Sequence, residues 1–279
     1  MKTPLIEING IHAKLETHNL TGSIKDRMVS HILDQAEKRG ELTAGQQIIE
    51  VTSGNTGVAL AALAAKRGYK FTAVMPESMS LMRRQMMMAF GAELVLTPAK
   101  QDIAGAIKKY NELVAQNPDA YLPLQFENPD NVHAHELGLG PEILKEVPNV
   151  DAFVAGAGTG GTLIGVARAL PKNVKIIVVE PAESAVLSGG DPGLHGIQGI
   201  GEGFIPHILQ ENLHLIDEII TIKTQDAVVA SQQLAAEHGF LVGISSGANF
   251  LAAQQLKNRF NNVVTVFPDR GERYFPPSG

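Results

Sequence analysis

Apolar residues along this chain fall into two alternating patterns. Short β-rich runs are each followed by longer segments whose apolar positions recur every three or four residues. The first pattern predicts strands at 3–8, 11–16, 47–51, 71–75, 93–97, 121–125, 152–155, 175–179, 218–222, 241–244 and 262–267. The second predicts helices from Lys25 to Gly40 and at 58–66, 80–90, 102–115, 132–146, 226–238 and 246–256, with a further helix opening after Thr162. Regular strand–helix alternation argues for parallel sheets with helices on both faces. The polar, Gly-rich stretch 188–203 reads as a long loop. Asn128-Pro129-Asp130-Asn131 reads as the best hinge between two domains.

The helix that opens at Gly22-Ser23-Ile24-Lys25-Asp26-Arg27 carries unusual chemistry. Ser23 is placed to be its N-cap, and Asp26 three residues on completes a capping-box pattern. Lys25 then lies in the first helical turn. The helix dipole is positive there and favours anions. A structural lysine gains nothing from that position. A lysine that must lose its proton to form a Schiff base does gain, because its ammonium form is disfavoured.

Three other segments share one physical character: 52–57, 156–162 and 243–248. Each follows an apolar strand, is rich in Gly, Ser and Thr, and opens a helix. Ligands in open α/β sheets bind beyond the carboxyl ends of strands, and free N–H groups at helix starts bind anions. The 156–162 loop suits a phosphate, with glycines for close approach and the hydroxyls of Thr159 and Thr162. The 52–57 loop could cradle a carboxylate. Gly156, Gly158 and Gly161 also fit a dinucleotide fingerprint, with Glu180 closing the next strand. An NAD-dependent dehydrogenase is therefore a rival reading, but it leaves Lys25 and the 52–57 loop unexplained.

Composition narrows the classes. The 279 residues are 44% hydrophobic and 19% charged, a globular balance with ample material for a core. Net charge is −6 with no basic stripe, which argues against nucleic acid. Cysteine is absent, which excludes disulfides, thiolate nucleophiles and thiolate metal sites. No apolar run approaches the ~20 residues that span a bilayer, and no signal pattern opens the chain. The expectation is a cytoplasmic protein with neither membrane nor nucleic-acid partner. His133-Ala134-His135-Glu136 puts its two histidines on different helix faces, so no metal site is expected. Met86-Met87-Met88 spans core and surface rather than one stripe, and Lys108-Lys109 reads as a solvated face.

Taken together, these motifs resemble the cysteine synthase (O-acetylserine sulfhydrylase) family, pyridoxal-phosphate (PLP) enzymes of the tryptophan-synthase-β fold group. The likeness rests on Lys14-Leu15-Glu16 with the Lys25 segment, Thr52 to Gly57, Met75-Pro76-Glu77, Gln125-Phe126, Asn128-Pro129, Gly140-Pro141-Glu142-Ile143, Gly158 to Thr162, Ile197-Gln198-Gly199-Ile200-Gly201 and Gly243 to Ala248. It covers nearly the whole chain, in order.

The resemblance implies an α/β fold of two domains, each a mostly parallel twisted sheet flanked by helices, with PLP in the cleft between them. The smaller domain would take 17–128. The phosphate-binding domain would take 129–279, joined by 1–16. Lys25 would hold PLP and serve as acid and base at the substrate α-carbon. Asn55 would bond the ring oxygen, and Ser245 rather than Ser246 would face the ring nitrogen. Gly158, Thr159, Gly160, Gly161 and Thr162 would hold the phosphate. Thr52, Ser53, Thr56 and Gln125 would hold the substrate carboxylate. The implied reaction is β-replacement of O-acetylserine by sulfide, in a homodimer. Cystathionine synthesis from homocysteine is the alternative within the class. Glu202 is a charge in the loop that would face the β-substituent, and no Lys or Arg lies between Pro181 and Pro206.

Overall fold

The computed structural model describes residues 2–274. Nine strands are present among them: β1 Leu5–Ile8, β2 Ile11–Leu15, β3 Gln47–Val51, β4 Lys70–Pro76, β5 Glu93–Thr97, β6 Ala152–Gly156, β7 Lys175–Pro181, β8 Glu218–Ile222 and β9 Val263–Phe267. The helices are α1 Lys25–Arg39, α2 Asn55–Arg67, α3 Leu81–Ala89, α4 Asp102–Gln116, α5 Pro129–Ala134, α6 Gly140–Glu146, α7 Gly161–Ala169, α8 His207–Gln210, α9 Thr224–His238 and α10 Ile244–Leu256. No helix of the described residues is long and apolar enough to cross a membrane. The chain divides into two compact units.

The larger unit takes 2–27 and 125–274. Its six-stranded sheet has the order β1-β2-β9-β6-β7-β8. Only the β1–β2 hairpin is antiparallel. Alternate residues explain why both faces are covered. Ala152, Val154, Ile177, Val179, Val263 and Phe267 pack in one core with residues of α9 and α10. Phe153, Ala155, Ile176, Val178, Val264 and Val266 pack in another with residues of α6 and α7. Strands buried on both faces read as unbroken apolar runs, as these do. Within β6 and β9 the one polar residue, fully buried Thr265, donates its hydroxyl to the Val154 carbonyl at 2.7 Å.

The smaller unit takes 28–124. Its sheet β3-β4-β5 is parallel throughout. Ile48, Phe71, Ala73 and Met75 face α1 and α2, while Ile49 and Val74 face Ala106 of α4. Of the three consecutive methionines, Met87 is fully buried and Met88 is exposed.

Two predicted strands are corrected. Residues 121–125 pair only at Tyr121, which bridges Ile48. Pro123 has no N–H to extend the ladder, and Leu124 turns to φ 50°, outside the extended region. Residues 241–244 pair only at Val242, which bridges Arg270, and α10 already begins at Ile244. The helix predicted at 132–146 starts earlier. Asn128 caps it, accepting from the Asp130 N–H at 2.9 Å, with Pro129 in the first turn. A π-turn at His135–Leu139 joins α5 to α6. The division between the units falls between Leu124 and Gln125, ahead of this cap.

A buried ionic cluster fastens the start of α1 to the larger unit. Arg27 donates from Nε to Glu16 at 2.6 Å, and from its two terminal nitrogens to both carboxylate oxygens of Glu142 at 2.7 and 2.8 Å. Lys14, with no exposed side-chain surface, lies 3.1 Å from Glu142 and 3.0 Å from Glu146. Thr3 and Asn19 donate to the remaining Glu16 acceptor sites. Burial opposes charge on Arg27 and Glu142. Their mutual bonds outweigh it, raising the arginine pKa and lowering that of the carboxyl.

Arg27→Met should lower unfolding free energy by about 3–5 kcal/mol, because it strands buried Glu16. Urea denaturation monitored by circular dichroism measures this. Glu142 contributes stability that is fully present above its ordinary pKa of 4.5 and is lost as pH falls through its lower folded value. That acid-side loss should shrink in Arg27→Met. A variant with unchanged stability and an unchanged acid limb would show the cluster to be energetically neutral.

Candidate active site

Lys25 is the first residue of α1 and is half-buried. The approach is fixed by a tight turn. Gly22 sits at φ 86° and donates to the Asn19 carbonyl at 3.0 Å; a β-carbon there would meet Arg270. Ser23 then bridges Asp269, and the Ile24 N–H donates to the Pro268 carbonyl at 2.8 Å. The expected capping box does not close through the serine hydroxyl. Ser23 Oγ is buried without a partner. Asp26 accepts instead from the N–H and hydroxyl of Thr21 at 2.8 and 2.7 Å, because Thr21 offers two donors to the carboxylate. Burial holds the Lys25 ammonium below its ordinary pKa, against the opposing charges of Glu202 and Asp269. The amine is therefore more readily neutral than that of a solvated lysine.

The glycine-rich loop leaves β6 at Gly156 and enters α7 at Gly161. Gly160 caps α7 at φ 87°, and no side chain caps that helix. Of its first N–H groups, that of Gly161 reaches Thr159 Oγ1 at 3.4 Å. Glycine is required for space as well as for torsion. A β-carbon on Gly158 would collide with the Gly199 carbonyl, and one on Gly161 with the Asn131 amide. Asn131 organises this loop. Its Nδ2 donates to Thr159 Oγ1 at 2.9 Å and to the Gln125 carbonyl at 2.7 Å. Asn249 holds the strand end, accepting from the Gly156 N–H at 2.8 Å and donating to the Val266 carbonyl at 2.9 Å. Thr162 Oγ1 lies 3.2 Å from Nε2 of buried His135, at the start of the π-turn.

The 195–203 loop crosses this segment. Gly201 N–H donates to the Ala157 carbonyl at 3.1 Å. His195 pins the loop at both ring nitrogens: Nδ1 accepts from the Ile197 N–H at 3.2 Å, and Nε2 lies 2.7 Å from the Gly201 carbonyl. Glu202 sits between Gly201 and Gly203, both at positive φ. Its Oε1 is 3.5 Å from where a β-carbon on Gly158 would stand. Glu202 is exposed to solvent, yet desolvation by the protein around its carboxyl raises its pKa; Lys25 and His195 oppose that rise.

Ser245 is buried in the first turn of α10, which starts after Gly243. Its neighbour Ser246 is fully buried, with its hydroxyl unpartnered. The larger unit thus holds Lys25, Gln125, Gly158, Thr159, Gly160, Gly161, Thr162 and Ser245. The smaller unit holds Thr52, Ser53, Asn55 and Thr56 as a second group, where β3 passes into α2. There Thr52 Oγ1 accepts from the Gly57 N–H at 3.1 Å, which closes the turn. Gly54 caps α2, again with no side-chain cap.

Sequence reasoning gave no site role to Asn249 or Asp269, and read Asn131 only as part of a hinge and His135 only as a rejected metal ligand. Each is a buried polar residue. The available signal was a polar side chain inside an otherwise apolar helix or at a strand end. The acidic residue of the dinucleotide reading, Glu180, is buried and committed. It accepts the N–H groups of Leu187 and Ser188 at 2.8 and 3.0 Å and the Ser188 hydroxyl.

Comparison with known proteins accords with this chemistry. A cysteine synthase of Staphylococcus aureus (strain N315) is 46% identical over 288 residues, spanning 98% of this chain and 92% of its own length. The crystal structure of O-acetyl serine sulfhydrylase isoform 3 from Entamoeba histolytica superposes with a TM-score of 0.93 at 44% identity, covering 98% of this chain and 87% of its own. That of the O-acetylserine dependent cystathionine beta-synthase from Helicobacter pylori gives 0.92 at 42% identity, covering 100% and 95%. Residues 1–269 match the family of pyridoxal-phosphate dependent enzymes. A likeness of this extent, carried by sequence and by fold, leaves one assignment: the chain belongs to the pyridoxal-phosphate dependent enzyme family, and pyridoxal phosphate is its cofactor.

Proposed function

We propose that this protein is a cysteine synthase that converts O-acetylserine and sulfide to L-cysteine and acetate. The observation that carries the reading is Lys25, a half-buried amine with a lowered pKa at the first turn of α1. The donor set fits the cofactor. A phosphate needs close N–H groups and little steric cover, which a loop of glycines ahead of a helix with glycine at its N-cap provides. An aldehyde needs a neutral amine, which burial of Lys25 favours.

Lys25 would hold the cofactor and, once released, take the substrate α-proton. The amides of Gly158 to Thr162 would hold its phosphate, with Thr159 oriented by Asn131 and Thr162 by His135. Ser245 would offer a neutral hydroxyl to the ring nitrogen, and Asn55 an amide to the ring oxygen. Thr52, Ser53, Thr56 and Gln125 would receive the substrate carboxylate. When bound, pyridoxal phosphate supplies the electron sink for the α-carbon. A serine is a weak proton donor to the ring nitrogen, which favours prompt loss of the β-substituent over transamination.

The charge pattern selects the donor. Glu202 lies against the glycine loop, and no Lys or Arg stands between Pro181 and Pro206. A phosphate leaving group would need such a cation and would be repelled by Glu202. An acetyl ester has no such requirement.

Borohydride reduction of the yellow holoenzyme should place a pyridoxyl group on Lys25 by peptide mass spectrometry, and Lys25→Ala should abolish turnover. Labelling of a different lysine would overturn the assignment. In a second test, Gly160→Asp forces a side chain onto a φ of 87° and against Leu209 and Ile208, which would distort the proposed phosphate cradle and bring a like charge beside it. The folded variant should emerge colourless from gel filtration; retained cofactor would move the phosphate site elsewhere. The third test is a steady-state assay with sulfide as the nucleophile. O-acetylserine should exceed O-phosphoserine in kcat/KM by about tenfold or more, since like charges brought together cost several kcal/mol. Faster use of homocysteine than of sulfide would instead favour cystathionine synthesis, the activity named for the Helicobacter pylori relative.

A further inference from the structure

We infer that Glu202 is a proton donor to the departing β-substituent, which extends the donor range of this enzyme to L-serine. The inference rests on the cysteine synthase reading and concerns a residue to which that reading gives only a charge effect.

Four structural observations carry it. Glu202 is exposed, but the loop that carries it is held in place. The glycines on either side sit at φ 66° and 79°, and a β-carbon on Gly201 would collide with Pro181. His195 bonds both ends of the same turn. The loop is also tied to the glycine loop through Gly201 N–H and Ala157 O. Secondly, the carboxyl lies against the glycine loop, with Oε1 standing 3.5 Å from where a β-carbon on Gly158 would be. Thirdly, Glu202 and Asp269 are the two carboxylates whose charge Lys25 feels. The proton acceptor for the α-carbon and this acid thus lie in one neighbourhood of the larger unit. Finally, no other acid stands in the 195–206 loop.

The protonation state suits the role. Desolvation around the carboxyl favours the neutral acid, although the residue as a whole is exposed. Lys25 from α1 and His195 from its own loop oppose that, and the 156–162 segment packed against Glu202 carries no titratable side chain. An upward shift moves the carboxyl toward what leaving-group protonation requires, and its conjugate base is the charge that disfavours a phosphate.

The step balances. Lys25 Nζ takes the α-proton of L-serine, and the C–H electron pair forms the Cα=Cβ bond. The Cβ–O bond breaks with its electron pair on oxygen, and Glu202 gives its proton to that oxygen, releasing water. Hydrogen sulfide then returns a proton to Glu202, HS⁻ bonds to Cβ, and Lys25 gives the proton back to Cα. The net reaction is L-serine plus hydrogen sulfide to L-cysteine plus water. Acetate leaves as a stable anion and needs no such donor, so the two substrates differ in their demand on Glu202.

The experiment compares wild-type holoenzyme with Glu202→Gln and Glu202→Asp, each with L-serine plus sulfide and with O-acetylserine plus sulfide. Wild type should make cysteine from L-serine. Glu202→Gln should lower kcat/KM for L-serine by about tenfold or more relative to its effect on O-acetylserine, within the usual range for general acid catalysis. Glu202→Asp should recover part of that loss. The wild-type profile for L-serine should fall as pH rises through the pKa of the acid, and this limb should vanish in Glu202→Gln. Independently of turnover, infrared pH-difference spectra should contain upward-shifted carboxyls from Asp26 and Glu202, and Glu202→Gln should remove one of them while the Asp26 signal stays. Failure of wild type to use L-serine, or equal losses for both donors, overturns the inference. Wild-type turnover of O-acetylserine is scored separately: its absence would refute the donor assigned above and leave the Glu202 result standing.

Discussion

A guanidinium withdrawn from water must find acceptors for its N–H groups, and much of the larger unit is arranged to meet that demand. Arg27 is met on one side by Glu16, at the exit of β2, and on the other by Glu142 in α6. These acceptors come from segments far apart in sequence. The hairpin, the start of α1 and the helix after the π-turn are therefore tied at one point. Lys25 is two residues from that point, and its position follows from it. A bidentate carboxylate pair fixes direction as well as distance. A lysine that must swing a single amine between two partners gains from an immobile stem.

The same logic governs the glycine loop. Its torsions demand glycine at Gly160, and its surroundings demand glycine at Gly158 and Gly161, where backbone and the Asn131 amide fill the space a side chain would take. Backbone N–H groups become the usable surface. Asn131 and Asn249 satisfy the polar groups left over, so the loop is rigid without contributing bulk. Glu202 then brings a carboxyl to a place otherwise made of neutral dipoles.

Much of this was legible in the sequence because it is local. The strands at 47–51, 93–97 and 218–222 are bounded by turn residues on both sides and lie where the pattern put them. The strand-to-helix loops were visible for the same reason, since Gly, Ser and Thr cluster only where the chain must turn and expose N–H groups. The errors arise where distant groups compete with local ones. Residues 121–125 have strand composition, yet Pro123 withholds a donor and Leu124 leaves the extended region. Ser23 has the form of a cap, but Thr21 supplies Asp26 with more donors. Asn131 and Asp269 gain their importance from partners that no spacing rule connects.

The position of β9 carries a consequence for how the molecule is made. This strand, Val263–Phe267, lies between β2 and β6 in the middle of the larger sheet. The β1–β2 hairpin therefore has no neighbour to join until nearly all of the chain has left the ribosome. The smaller unit, by contrast, is continuous in sequence from 28 to 124 and has its whole sheet early. Synthesis runs at about 5–20 residues per second. During that interval the hairpin edge and the apolar faces of β6 and β7 wait unpaired. In the living cell this is the stretch most in need of a chaperone, and the order of assembly ends rather than begins at the N-terminus.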